Sequence, residues 1–419
     1  MTPTIPIIAV PPAPTLLSVP LALYVHWPWC VRKCPYCDFN SHEIAPSRKS
    51  RSAASPPQGA EKHLGRPGVF LPPQQEAAYL AALIADLEAA LPAIWGRSVI
   101  SVFIGGGTPS LMSGKTADTL LAALRMLIPL LPEAEITLEA NPGTLEAGKF
   151  AAFRDAGINR LSLGIQSFDD RKLAALGRIH SGDEARRAID QAQTHFERVN
   201  LDLMYALPSQ TLREARQDIA TAIVTGVSHL SAYHLTLEPN TPFHHAPPPV
   251  PDDDLAADMQ EMVEAELASA GFAHYETSAF AKPGQQCRHN LNYWQFGDYL
   301  GIGAGAHSKL SDHTGIRREA RPRHPKDYLA DPASRDWHAV SPDDLPGEFM
   351  MNALRLTAGV PQALFVERTG LPLAAIEKSA LAAVSNARRA GLLDTADGYL
   401  RPTAQGRRFL NRLLAEFMS

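Results

Sequence analysis

Tyr24-Val25-His26-Trp27-Pro28-Trp29-Cys30-Val31-Arg32-Lys33-Cys34-Pro35-Tyr36-Cys37-Asp38-Phe39-Asn40 holds three of the chain's four cysteines, in C-x3-C-x2-C spacing. The apolar run from Leu21 to Trp27 ends at Pro28, which predicts a strand followed by a loop that carries the thiols. Three thiolates on one short loop can wrap an inorganic cluster. They satisfy three irons of a [4Fe–4S] cube and leave the fourth open to another ligand. The same loop with His42 as fourth donor suits structural zinc. Two unrelated thiols with a chance third is the plainest alternative.

Around this loop the chain is of ordinary globular make-up. At 419 residues it has room for one large domain and a smaller one. Its 45% hydrophobic and 20% charged residues suffice for a sizeable core. A net charge of −5 gives no global attraction to nucleic acid or to an anionic membrane. Four cysteines, three of them clustered, make no disulfide framework, and cluster thiolates need a reducing compartment, so the expected location is cytoplasmic. Residues 1–20 are apolar but rich in proline and lack a basic leading segment, which predicts a mobile tail rather than a signal peptide. Residues 43–73, with Arg48-Lys49-Ser50-Arg51 followed by Pro, Ser, Gly and Gln, have the composition of a disordered insertion.

Helical periodicity begins at Ala77 and runs to Leu91, with Pro92 as its expected end. From there strands and helices alternate. Val99–Ile104, Ile136–Ala140, Arg160–Gln166, Val199–Tyr205 and Leu230–Leu235 are expected strands, with helices between them. With Leu21–Trp27 they make six strand–helix units, hence a parallel sheet with crossover helices: an α/β fold, a partial (β/α)6 barrel over residues 21–246. In such folds the site lies at the carboxyl ends of the strands. The cysteine loop, Gly105–Thr108, Glu139, Gln166 and Asp202 all fall in or at those ends. Glycines let a ligand approach the backbone closely. Glu139 can accept from an ammonium, Arg178 can pair with a carboxylate, and Asp202 or Gln166 can hold ribose hydroxyls. Each alone has a plainer meaning, since G-G-G-T is often only a tight turn.

Here a resemblance becomes specific. The run Y-x-H-x-P-x-C-x3-C-x-Y-C, with G-G-G-T-P-S, L-E-A-N-P-G-T, S-L-G-I-Q-S-F, L-G-R-I-H and D-L-M-Y-A-L-P, resembles the radical-SAM group of oxygen-independent coproporphyrinogen III dehydrogenases and their relatives. The resemblance implies that Cys30, Cys34 and Cys37 ligate a [4Fe–4S] cluster. It implies that Tyr24, Tyr36, Gly106, Gly107, Thr108, Glu139, Gln166, Arg178 and Asp202 bind S-adenosylmethionine (SAM). The dehydrogenases carry a further cysteine two positions after the third, where this chain has Phe39, and a structured arm before the loop, where this chain has its proline-rich tail. His289-Asn290-Leu291-Asn292-Tyr293-Trp294 and Phe39 are instead similar to the heme-chaperone branch. That branch implies heme as ligand and heme-accepting proteins as partners, respiratory-chain components and membrane-protein contacts among them. Porphyrin oxidation by a dehydrogenase is the alternative.

Imidazole is a common axial ligand of heme iron, and Tyr and Trp rings can stack on a porphyrin, so His289 is a candidate heme ligand with Cys287 as a second. A hydrogen-bonded core histidine is the plain alternative. Residues 247–344 are expected to complete and connect the barrel. Pro247–Pro251 forms a linker there, and Asp252-Asp253-Asp254 is suited to cap a helix over Leu255–Ala270. Leu300–Ser308 lacks the G-x-G-x-x-G spacing of a dinucleotide site and suits a tight backbone approach. Arg317–Lys326 is basic enough to meet propionates, or is a solvated loop. Residues 345–419 are expected to form a mostly helical, winged-helix-like domain: helices at Phe349–Leu356, Pro361–Thr369 and Leu373–Ala390, a hairpin over 391–401, and a last helix over Thr403–Phe417.

Overall fold

The computed structural model describes residues 19–44, 71–372, 384–394 and 398–417. The expected tail and the expected insertion lie almost wholly outside the described residues, as does the first part of the helix expected over Leu373–Ala390.

In chain order the strands are β1 (Leu21–Trp27), β2 (Trp29–Cys30), β3 (His42–Glu43), β4 (Val99–Gly106), β5 (Leu130–Ala140), β6 (Arg160–Gln166), β7 (Arg198–Tyr205), β8 (His229–His234), β9 (Ala273–Glu276), β10 (Ala279–Ala281), β11 (Asp298–Ile302), β12 (His307–Asp312), β13 (Gly315–Ala320), β14 (Asp336–Ala339), β15 (Val360–Pro361) and β16 (Tyr399–Leu400). Twelve of them form one sheet, in the order β14-β13-β12-β11-β1-β4-β5-β6-β7-β8-β10-β9. The run from β1 to β8 is parallel throughout, as the six-unit reading requires. The sequence reading missed a seventh parallel strand. β11 pairs in register with the other edge of β1, Leu21 opposite Asp298 and Val25 opposite Ile302. Its brevity and the glycine run it opens hid it.

The parallel strands alternate in character, which is unusual for strands covered by helices. Leu138, Leu161 and Val199 lie in one register row and Ala140, Leu163, Leu201 and Leu230 in another, all buried against the outer helices. The rows between them are polar: Glu139, Ser162, Asn200 and His229 in one, Gly164, Asp202 and Ser231 in the next. A one-residue slip would bury the polar rows under the helices, so the pattern fixes the register. It also makes the inner face a surface for polar ligands.

The crossover helices carry their own stop and start signals. Ser181 and Thr211 open the helices Gly182–His195 and Leu212–Val224 with full capping boxes, using Glu184 and Glu214. Asp252 accepts from Leu255 N at 2.9 Å and caps the helix Asp253–Ser269, as its position predicts. The helix Pro73–Ile94 is longer than expected. Pro92 sits inside its last turn, where the chain is about to leave the helix in any case, and Gly96 at φ +76° turns it away. This helix is long and apolar enough to cross a bilayer, yet Tyr79, Leu83, Leu87 and Ile94 are buried in the core with β1 and β4.

After the barrel, the helix Leu345–Ala353 and the helix Gln362–Thr369 pack around Phe349 and Phe365. β16 pairs with β15, and Leu393 bridges to Pro402, so the expected hairpin is part of a small wing. The last helix is broken at Phe409 (φ −111°, ψ 42°) into Ala404–Arg408 and Leu410–Ala415.

Candidate functional site

The cysteine loop is held at both ends by backbone. Gly107 N donates to Trp27 O at 2.7 Å and Thr108 N to Trp29 O at 2.8 Å, so the G-G-G-T turn runs directly beneath the loop. A Cβ at Gly107 would lie 2.6 Å from Trp29 O, and one at Gly106, where φ is +115°, 2.6 Å from the His26 ring. Glycine is needed at Gly107 because the cysteine loop leans on it, rather than because a ligand does. β2 pairs with β3, and Ile44 N donates to Cys30 O at 2.9 Å, closing the loop's far side. Asn40 ends the loop. Its side-chain amide donates to Ala304 O at 2.9 Å and Arg323 O at 2.8 Å. Gly305 (φ +76°) makes room for this tie, since a Cβ there would lie 2.3 Å from the Asn40 amide, and Gly303 (φ +104°) makes room for β1, where a Cβ would lie 2.5 Å from His26 O. The glycine run Leu300–Ser308 is therefore a collar for the cysteine loop and its strand.

Each of the three thiols has a donor within reach. Thr108 Oγ1 donates to Cys30 Sγ at 3.5 Å, the Arg178 guanidinium to Cys34 Sγ at 3.8 Å, and Ser41 Oγ lies 3.9 Å from Cys37 Sγ. All three cysteines are free. Hydroxyl and guanidinium donors around sulfur suit thiolates, and the donor set fits a cluster bound by three of them. No group of three His, Cys, Asp or Glu side chains among the described residues is gathered to hold a single metal ion. His42 packs edge-on against His324 at 5.3 Å.

Arg178 organises the next layer. Besides Cys34 it donates to Asn141 Oδ1 and to Gly164 O, each at 2.7 Å. Asn141 in turn donates to Thr108 Oγ1 at 3.2 Å. The guanidinium expected to meet a ligand carboxylate is thus already shared between a thiol, an amide and the backbone. Asn141 was missed in the sequence, where it looked like the stop signal of Asn-Pro-Gly. Burial and the thiols of Cys34 and Cys37 raise the Tyr36 phenol, against the pull of Arg178, and its ring faces Phe243 at 6.4 Å. Gln166 takes positive φ (66°) at the end of β6, which turns its amide back toward Gly164 and Arg178.

Deeper in the barrel, Glu139 accepts one hydrogen bond, from Gly106 N at 3.2 Å. Burial, with the nearby Asp202 carboxylate adding to it, pushes its pKa up to about 8. Asp202 is also raised by burial, though Ser162 Oγ at 3.0 Å and Asn200 Nδ2 at 2.8 Å donate to it. Two buried carboxyls on one inner face, both raised by burial in spite of nearby Arg160, can receive a positively charged ligand. Glu139 also lines a cleft of about 590 Å³ with Tyr24, Gly106, Phe39, His307 and Arg323 among its other walls. Tyr24 donates to or accepts from His26 Nδ1 at 2.9 Å and stacks on Phe103.

His289 and Cys287 are elsewhere, at the barrel floor. Both are buried, and they precede and open the helix Arg288–Trp294. His289 Nδ1 is 3.0 Å from Ser101 Oγ, and the ring is held between Phe103 and Tyr293, both at 5.0 Å. Burial lowers its pKa to about 3. Cys287 Sγ donates to Glu135 Oε1 at 3.3 Å, and burial pushes its thiol up to about 12. Neither side chain has an open face for heme iron in this packing. The H-N-x-x-Y-W run serves as the floor: Asn292 Nδ2 donates to Asp298 O at 2.8 Å, and Gly297 is required because a Cβ there would strike the Asn292 amide. The arginines of 317–326 are mostly committed as well. Arg317 pairs with Asp312 and Glu319, Arg318 with Glu348, and Arg321 with Asp86 and Glu319.

Comparison with known proteins agrees with this arrangement. Residues 24–222 match the radical SAM superfamily and residues 340–409 the HemN C-terminal domain. The chain is 44% identical over 402 residues to heme chaperone HemW of Escherichia coli (strain K12), covering 96% of this chain and 98% of that one. A protein of the same name from Haemophilus influenzae is 44% identical over the same shares. The mitochondrial radical S-adenosyl methionine domain-containing protein 1 of Mus musculus is 39% identical over 318 residues, 74% of this chain and 66% of its own. The solved structure of coproporphyrinogen III oxidase (HemN) from Escherichia coli superposes with a TM-score of 0.76 at 21% identity, over 96% of this chain and 92% of that one, which shows a shared fold. The thiol loop, the parallel barrel and near-full-length identity lead to one family: the chain belongs to the heme chaperone HemW family of the radical SAM superfamily.

Proposed function

We propose that this chain binds heme and passes it to acceptor proteins, carrying a [4Fe–4S] cluster and SAM as resident groups. The observation that carries the reading is Phe39. It stands where the dehydrogenases have a further cysteine, and its ring is 60% exposed at the cleft, an apolar surface instead of another thiol beside the cluster loop. The relatives most of whose length it shares are themselves named heme chaperones.

In this reading Cys30, Cys34 and Cys37 hold the cluster, with Thr108, Arg178 and Ser41 steadying the sulfurs. The cluster supplies an open iron for SAM and a store for one electron. Glu139 takes the SAM ammonium. Gly106, Gly107 and Thr108 shape the backbone edge, Gln166 and Asp202 take hydroxyls of the ribose, and Tyr24 and Tyr36 bound the pocket. Arg178 acts by positioning Asn141 and Cys34. The barrel over residues 21–246 is completed by the connecting region over 247–344, whose β11 pairs with β1, and the wing-bearing region over 345–419 acts as a contact surface for acceptors. Thiolates of this kind require reducing surroundings, which supports a cytoplasmic location.

The test is an anaerobic reconstitution followed by two assays. Wild-type protein should bind about one heme per chain, as one iron-ligating site predicts, and should yield no protoporphyrinogen from coproporphyrinogen with SAM and reductant present. Cys30→Ala, Cys34→Ala and Cys37→Ala should each lose the cluster chromophore while Cys287→Ala keeps it. Steady turnover to protoporphyrinogen would instead establish the dehydrogenase.

A further inference from the structure

From the free side chains around the cleft, we infer that its outer part, walled by Phe39, Tyr24, Tyr293, Tyr299, His307 and Arg323, is the heme seat, with His307 as the iron ligand and Arg323 as the propionate partner. This rests on the heme-binding reading above and gives it a site.

Three histidines stand at or next to the cleft. His26 has both ring nitrogens engaged, Nδ1 with Tyr24 OH at 2.9 Å and Nε2 with Asn40 O at 2.8 Å. His289 is sealed beneath Phe103 and Tyr293 and bonded to Ser101. His307, the first residue of β12, is exposed, and its imidazole has no hydrogen-bond, ion-pair or ring partner among the described residues. It is the exposed imidazole at the cleft with both nitrogens to offer a metal, whereas the unpartnered Nε2 of His289 is buried with its ring between Phe103 and Tyr293. Partial burial, with Arg318 and Arg323 adding to it, lowers its pKa, which favours the neutral form that ligates iron.

The arginines sort in the same way. Arg318 is spent on Glu348 at 2.6 Å and on Tyr299 OH at 2.6 Å. Arg323 is exposed at the lip, and its guanidinium has no partner among the described residues, although its carbonyl is held by Asn40. A free guanidinium beside an apolar wall suits a carboxylate on a planar apolar ligand. That wall is aromatic. The Tyr293 and Tyr299 rings meet at 4.4 Å, and Phe39 presents an open face. The cleft volume of about 590 Å³ falls within the roughly 300–1,000 Å³ of small-molecule sites. Phe39 belongs to the cysteine loop, and Asn40 ties that loop to the Arg323 backbone, so the seat adjoins the cluster without sharing its ligands.

The experiment titrates ferric heme and its dimethyl ester into cluster-loaded protein, wild type and variant, reading the Soret band. His307→Ala should change the axial-ligand spectrum and weaken heme by about tenfold or more, equivalent to about 1.4 kcal/mol, with the cluster absorbance and SAM affinity unchanged. Arg323→Ala should weaken heme but leave the dimethyl ester unaffected, because the ester has no carboxylate to lose. Phe39→Ala should weaken both. His289→Gln, if it folds, should keep the wild-type spectrum. If wild-type protein binds heme while His307→Ala and Arg323→Ala bind it with unaltered spectrum and affinity, the seat is elsewhere and the chaperone reading stands. If His289→Gln alone abolishes the spectrum in folded protein, the floor helix opens to heme and this assignment is overturned. If wild-type protein binds no heme, both readings fall together.

Discussion

The two ends of the barrel carry the same kinds of residue and use them in opposite ways. At the floor every carboxylate is matched. Glu135 meets Arg198 at 2.8 Å and also accepts from Cys287 Sγ and His289 N. Burial works to raise Glu135, but Arg160 and Arg198 outweigh it and hold it below the usual carboxylate range. Asn200 Oδ1, His229 and Tyr275 OH form a chain with links of 2.6 and 2.8 Å. Toward the mouth, four residues beyond Glu135 on β5, Glu139 has a single backbone donor and sits near 8. A buried polar group with its partners in place is structure, and one held short of partners is a site. The contrast separates Glu135 from Glu139. His289, whose Nε2 has no hydrogen-bond partner among the described residues, belongs to the floor by its burial between Phe103 and Tyr293, and exposure at the cleft points to His307.

The contrast is broken most severely at the floor. Glu135→Ala strands two arginines and should cost about 3–5 kcal/mol of unfolding free energy in a denaturant titration. SAM affinity should persist in whatever fraction folds. A mild loss with SAM binding abolished would mean that the floor reaches the ligand.

Glu139→Gln is the matching change at the mouth. It should weaken SAM by on the order of 1.5–3 kcal/mol, the range of a hydrogen bond to a charged group, and leave thermal stability intact or raised. The pH dependence sharpens this. Because the folded Glu139 holds its proton to about pH 8, the ligand-free protein loses stability from this group as pH rises from the ordinary carboxylate range toward 8. A cationic ligand prefers the ionised carboxylate, so wild-type SAM affinity should climb with pH up to about 8. In Glu139→Gln that climb should flatten, and a persisting slope in calorimetry would assign the proton to another group.

Gly107→Ala tests the seam between the glycine turn and the cysteine loop. The added methyl must move Trp29 O, at a cost of roughly 1–3 kcal/mol for an overpacked contact. Iron content after reconstitution should fall with it. Normal loading with weak SAM binding would show that the space belongs to the ligand after all. The smallest effect is expected far from both ends. Ser181→Ala removes a helix cap and should cost about 1 kcal/mol of stability with cluster and SAM binding unchanged.

How much of this was legible in the sequence follows from distance along the chain. The six parallel strands and their caps are local patterns, and the register of apolar rows survives in the letters. The cysteine spacing is local too. The floor was not legible, because His289 meets Ser101 and Glu135 across more than 150 residues and looks identical, as a letter, to a free imidazole. Asn141 was hidden by its neighbours Pro142 and Gly143, which signal a turn whatever else they do. The seventh parallel strand was hidden by its brevity and by the glycine run it opens, whose Gly303 and Gly305 serve the backbone of β1 and Asn40 rather than a nucleotide. Arg323 lies in the basic stretch 317–326 and His307 in the glycine run 300–308, but nothing in either stretch singles out these two residues. What marks them is the lack of partners, which only a folded neighbourhood reveals.

That seventh strand bears on how the molecule comes into being. β1 is among the first ordered segments synthesised, yet one of its two edges waits for residues 298–302. Until then Leu21–Trp27 presents an open edge, and such edges invite pairing with other chains. The Asn40 tie to residues 304 and 323 is likewise delayed. During synthesis the three thiols therefore hang on a loop anchored on one side only. Iron loading before the collar forms meets a pliant loop, and loading afterwards meets a braced one. Pairings this distant in sequence fold slowly, so from the emergence of Cys37 until the arrival of β11 the nascent chain carries both an open β1 edge and a cysteine loop without its collar.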